Sequence, residues 1–113
     1  MSKINARNKG NSYERKVKNE WIELGFEDCL TSRHASKYMD DLKVDLINTG
    51  PFNIQCKAVE KGVYPHKILE EMPDDSKYNV LFHKKNRQGE VVSMMKEDFY
   101  ELINMLISNK IIK

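Results

Sequence analysis

Apolar residues recur along this chain with two different periods, and the switches between them divide it into elements. Tyr13, Val17, Trp21 and Leu24 are spaced by 4, 4 and 3, which places them on one face of a helix. Asn11-Ser12 opens that helix, Gly25 supplies its stop, and Phe26 is placed to pack back on its end. Residues 29–32 predict a short strand, and the polar run 33–41 predicts a surface loop. Residues 44–47 and 52–57 predict two strands around Asn48-Thr49-Gly50-Pro51, where glycine supplies a positive φ and proline cannot donate into a sheet. In the second of these strands Phe52, Ile54 and Cys56 share one face, and Asn53, Gln55 and Lys57 share the other. Pro65 starts a short helix through Met72, which Pro73 ends. Residues 78–82 and 90–95 predict strands joined by the turn Asn86-Arg87-Gln88-Gly89. Phe99, Leu102, Ile103, Leu106 and Ile107, at i, i+3, i+4, i+7 and i+8, predict an amphipathic helix. The order α-β-β-β-α-β-β-α predicts an α/β fold, a mixed β-sheet flanked by helices.

A length of 113 residues fits a single domain with one modest core, here 11–113 behind a flexible basic arm, 1–10. The net charge of +2 says little, but residues 1–19 hold six Lys or Arg against one acid. That segment is therefore +5 and the remainder −3. Such an arm favours a polyanion, and a solvated tail has the same composition. Cys29 and Cys56 lack metal-ligand spacing, and the three histidines are scattered, so no zinc site is expected. Residues 1–10 lack the apolar core of a signal peptide, and no apolar run is long enough for a membrane span. The expectation is a protein of the cytoplasm.

Candidate chemistry gathers around the central turn. Asp45 on one strand faces Gln55 and Lys57 on the next, a set that suits metal-dependent cleavage of a phosphodiester. Mg²⁺ takes one or two carboxylates and keeps several waters. Asp45 is the candidate central ligand, Gln55 offers an amide oxygen, and the Cys56 carbonyl is another hard donor. Glu14 adds a second carboxylate if the first helix packs at the strand edge. A capping box with Asn11 as N-cap also accounts for Glu14. Lys57 is a candidate to orient the attacking water or to stabilise charge on the phosphate. Arg33, Ser36 and Lys37 carry donors suited to a phosphate.

Lys9-Gly10-Asn11-Ser12-Tyr13-Glu14-Arg15 before a helix, Lys43-Val44-Asp45-Leu46, and Ile54-Gln55-Cys56-Lys57 together resemble the archaeal-type Holliday-junction resolvases and their phage relatives. Those enzymes belong to the PD-(D/E)XK nuclease superfamily. The resemblance is densest over residues 9–60. It implies a restriction-endonuclease-like fold and a Mg²⁺- or Mn²⁺-dependent endonuclease cutting four-way DNA junctions. It also implies a homodimer, in host cytoplasm if phage-encoded. Glu14, Asp45, Gln55 and Lys57 match the catalytic positions, the first three of them as metal ligands. Arg33 and Ser36 match a basic, serine-containing loop near the scissile phosphate, and Arg7, Lys9, Arg15 and Lys37 extend the DNA-binding set. Val44 stands where the superfamily has proline, and Gln55 where it usually has glutamate. Asp40 and Asp41 are extra acids, able to return a carboxylate to the site or simply to sit in solvent. Other DNA structures as substrate, or a catalytically weak DNA-binding protein of the same fold, are the alternatives.

Overall fold

The computed structural model describes the backbone of residues 3–113 and the side chains from Ala6 onward. Its elements are α1 (Lys3–Glu23), β1 (Leu30–Thr31), α2 (Ser32–Ala35), α3 (Lys37–Asp41), β2 (Leu46–Ile47) and β3 (Phe52–Val59). They continue as α4 (Pro65–Glu71), β4 (Tyr78–Lys85), β5 (Glu90–Ser93) and α5 (Lys96–Ser108). The strands form one five-stranded mixed sheet in sequence order. β3 and β4 run parallel because α4 carries the chain back, and the other neighbours are antiparallel. Helices flank the sheet, as the sequence pattern predicts.

Two cores lie on opposite faces. On one, Tyr13, Val17 and Trp21 of α1 pack on Leu46, Ile54 and Cys56. Trp21 meets Phe26, Phe52 and Phe82 at centroid distances of 4.8, 5.7 and 6.2 Å. On the other, Leu69 and Met72, of α4 and its C-terminal end, cover Leu81. The even-odd alternation of β3 serves both faces: Ile54 faces α1, whereas Asn53 and Gln55, although polar, are buried on the face that α4 covers. Asn53 is paired there, its amide nitrogen donating to Asp75 and to Asn79 Oδ1 at 2.9 Å.

Three expectations change. The first helix starts at Lys3 and not at Asn11, so the 3–10 part of the expected arm is helical; residues 1 and 2 lie outside the described residues. Ala6, Gly10, Tyr13, Val17 and Trp21 continue one stripe, and a single interior glycine costs only about 1 kcal/mol, too little to end a helix. The capping box of Asn11 and Glu14 therefore does not form, since Asn11 lies mid-helix. The loop 33–41 is instead two helical turns, α2 and α3, with Ser36 as N-cap accepting from Met39 N at 3.3 Å.

An added Cβ at Gly10 meets nothing within 4 Å. Gly10→Ala should therefore raise stability by about 0.5–1 kcal/mol through lost unfolded-state entropy. Urea unfolding followed by far-UV circular dichroism checks this, and a non-helical segment would show no gain.

Candidate active site

The ladder between β2 and β3 ends at Asp45, and that ending creates the site. Lys43 adopts a positive φ of 66° and turns the chain away just before Val44. With no strand beyond, the Cys56 N–H donates to the Asp45 side chain, Oδ2, at 2.8 Å, while Asp45 N donates to the Ile54 carbonyl at 2.7 Å. The carboxylate thus takes the place of a ladder carbonyl and is locked in one orientation. Ser32, fully buried, holds the other side: its N–H donates to the Asp45 carbonyl at 2.8 Å and its hydroxyl donates to the Val44 carbonyl.

Glu14 arrives from α1. It is one residue beyond the buried Tyr13, on the flank of the packed face, and its side chain is only 13% exposed. It does not turn to solvent. Arg33 Nε donates to Glu14 Oε2 at 3.2 Å, and Arg33 Nη1 lies 2.9 Å from His34 Nε2.

The charges of these groups are felt at one another. Burial pushes the Asp45 carboxyl up to about 6; the Cys56 N–H opposes that shift, the Glu14 charge adds to it, Lys57 opposes it and Asp40 adds to it. Glu14 is raised as well, by burial first, against the hydrogen bond and charge of Arg33 and with Asp40 again raising and Lys57 lowering. Two carboxylates therefore share a poorly hydrated space. Asp40 is exposed on α3, yet its charge reaches both, whereas Asp41 pairs with Lys37 at 3.3 Å.

Gln55 is buried on the Lys57 face of β3, and its Oε1 has no hydrogen-bond partner. A bare buried amide oxygen costs about 1–3 kcal/mol, and Asn53 two residues earlier leaves no such gap. Among the described residues Lys57 pairs with no acid within 4.0 Å. No three His, Cys, Asp or Glu side chains among the described residues form a metal cluster. The candidate donors are instead two carboxylates and an amide oxygen, Glu14, Asp45 and Gln55, the last two adjoining the paired Leu46 and Ile54 of the β2–β3 register. They fit a hard divalent cation, which would supply the positive charge that the raised carboxyls lack and a partner for the bare oxygen.

The remaining expected phosphate ligands spread outward. Arg7 is exposed two turns before Glu14 on the same flank of α1. Arg15 reaches Ser12 Oγ at 3.2 Å, and Lys9 reaches Asn86 on the β4–β5 turn. Ser36 and Lys37 are engaged in the cap and the ion pair described above. Ser32 and His34 are not among the sequence candidates; a serine ending a predicted strand and an exposed histidine carry no sequence signal, and only the fold reveals their contacts. No family model, curated protein or solved structure matches the chain.

The raised Asp45 value sets a stability prediction. Between its ordinary 3.8 and about 6 the native state binds more protons than the unfolded chain, so stability falls as pH rises through that window. In EDTA, Asp45→Asn should stabilise the protein at pH 8 by about 1–3 kcal/mol, with the difference gone by pH 4. Urea unfolding at pH 4, 6 and 8 measures it.

Proposed function

We propose that the chain is a metal-dependent, structure-specific DNA endonuclease of restriction-endonuclease-like fold, hydrolysing phosphodiesters at four-way junctions with Mg²⁺ or Mn²⁺. The observation that carries this reading is the link from Glu14 to Asp45 through Arg33 and Ser32: Arg33 Nε donates to Glu14 at 3.2 Å and the N–H of its neighbour Ser32 donates to the Asp45 carbonyl at 2.8 Å. Both carboxylates are largely removed from water, the Glu14 charge reaches Asp45, and each is raised above its ordinary value. A fold gains nothing structural from that repulsion, whereas a cation site uses it. Glu14, Asp45 and Gln55 would hold the ion, which when bound polarises a phosphoryl oxygen and lowers the pKa of water. Lys57, whose charge is felt at both carboxylates, is suited to charge developing on the phosphate. Arg7, Lys9, Arg15 and Lys37 offer backbone phosphate contacts, which position DNA without reading sequence.

A synthetic four-way junction with Mg²⁺ tests the reading. Wild type should cleave it, and Asp45→Asn and Lys57→Ala should each fall by about 10²–10³ in rate. Equal cleavage by all three, or none by wild type with either metal, ends the catalytic claim.

The partner in this reading is a second copy of the chain, and α5 supports it. No α5 residue is buried or belongs to either core. The flank near the body is acidic: loss of hydration first, then the Glu101 carboxylate, raises the Tyr78 hydroxyl. From β5 to the C-terminus nine large apolar side chains, Phe99, Ile107 and Ile111 among them, stand 37–66% exposed. Val91 and Val92 point to opposite faces of β5, and Phe99 and Met105 to different faces of α5, so the apolar surface open to one partner is the Phe99–Ile107 side of α5 with the C-terminal isoleucines. Sedimentation should therefore give a dimer for wild type and a monomer for Phe99→Glu. A wild-type monomer at 100 µM, about a hundred times a micromolar Kd, removes the dimer from the reading.

A further inference from the structure

Resting on the metal-nuclease reading, the geometry points to counterion exchange at Arg33: its guanidinium neutralises Glu14 while the site lacks a divalent cation, and cation binding frees it to grip the scissile phosphate.

The base of the side chain cannot move. Arg33 follows Ser32, which is fully buried and tied to the Asp45 and Val44 carbonyls just before β2. The α-carbon of Arg33 is therefore anchored one residue from that attachment, and its long side chain is the part free to change place. One destination, the Glu14 carboxylate, is already in its grasp; the second, in this proposal, is an anion bound on the side of Asp45, to whose carbonyl the neighbouring Ser32 is tied.

Its present seat is incomplete. Nε donates to Glu14 Oε2 at 3.2 Å and Nη1 contacts His34 Nε2 at 2.9 Å, but Nη2 is buried without a partner. A guanidinium has five donors in a planar fork, and a phosphate takes two of them in parallel. Here a single one reaches a carboxylate oxygen. Arg33 is thus held well enough to neutralise Glu14 and loosely enough to leave. Its side chain is 27% exposed, so the route out is open.

The two cations compete through charge. Arg33 holds Glu14 Oε2 only, and a divalent cation on either oxygen of that carboxylate would draw on the same negative charge while repelling the guanidinium. With a doubly charged ion held at Glu14 and Asp45, Arg33 would no longer be needed to neutralise Glu14, and a phosphate would be its best available acceptor. Metal loading and phosphate grip are thereby coupled through one side chain, with no movement of backbone.

Mn²⁺ binding to the full chain without DNA, titrated by the EPR signal of the free ion, tests this in wild type, Arg33→Ala and Arg33→Gln. The glutamine variant keeps a polar side chain of similar reach should the alanine variant fail to fold. Loss of the competing charge should tighten Mn²⁺ binding about two- to fivefold. The rise in Tm from EDTA to Mn²⁺ should likewise be larger in the variants than in wild type, while junction cleavage falls by at least tenfold. Unchanged or weaker Mn²⁺ binding in the variants, with wild-type binding intact, overturns the exchange and leaves the metal site standing. Tighter binding with undiminished cleavage overturns the phosphate role. Absence of Mn²⁺ binding from wild type and variants alike overturns the site and the exchange together.

Discussion

The packing of α1 on β3 is the contact on which everything else depends. Val17 and Ile54 are fully buried against one another's elements, and Trp21 anchors the end of the helix among Phe26, Phe52 and Phe82. Each large apolar side chain removed from water contributes about 1.5–3 kcal/mol. That stripe also fixes the rotation of α1 about its axis, and rotation decides where Glu14 goes. One residue from Tyr13, it is carried to the flank of the packed face, where Arg33 reaches it and its charge is felt at Asp45. The core thus holds together two carboxylates that repel, a local cost of the kind found where binding or catalysis requires it.

β3 shows how closely structure and chemistry can alternate on one strand. Asn53 and Gln55 are neighbouring amides on one face, and both are buried. Asn53 is paired with Asp75 and Asn79 and helps secure the connection into β4. Gln55 leaves its oxygen bare. Burial by itself therefore does not single out Gln55; the missing partner does. The same distinction separates Asp41, paired with Lys37 within α3, from Asp40, whose charge is felt at Glu14 and Asp45.

Strand and helix periods made most elements legible, because burial on one face imposes them directly on the order of residues. The misread segments were those where period is a weak signal. Gly10 looked like a boundary, but an isolated glycine weakens a helix without stopping it. The run 33–41 looked like a loop because its polar residues hide two single turns, which the Ser36 cap and the Ser32 anchor stabilise. In α5 the apolar stripe was plain, yet no residue of it is buried within this chain.

By itself the sequence determined the sheet strands, the helices on either side, and a short set of polar residues around the central turn. Those features depend on neighbours within a few positions, where backbone geometry ties spacing to face. Only the tertiary structure decided that the Glu14 charge reaches Asp45 from 31 residues away, that Arg33 sits on Glu14, and that Gln55 Oε1 lacks a partner. These are relations between distant elements, set by how a helix rotates on a sheet and by which polar atoms are left over once the core has closed.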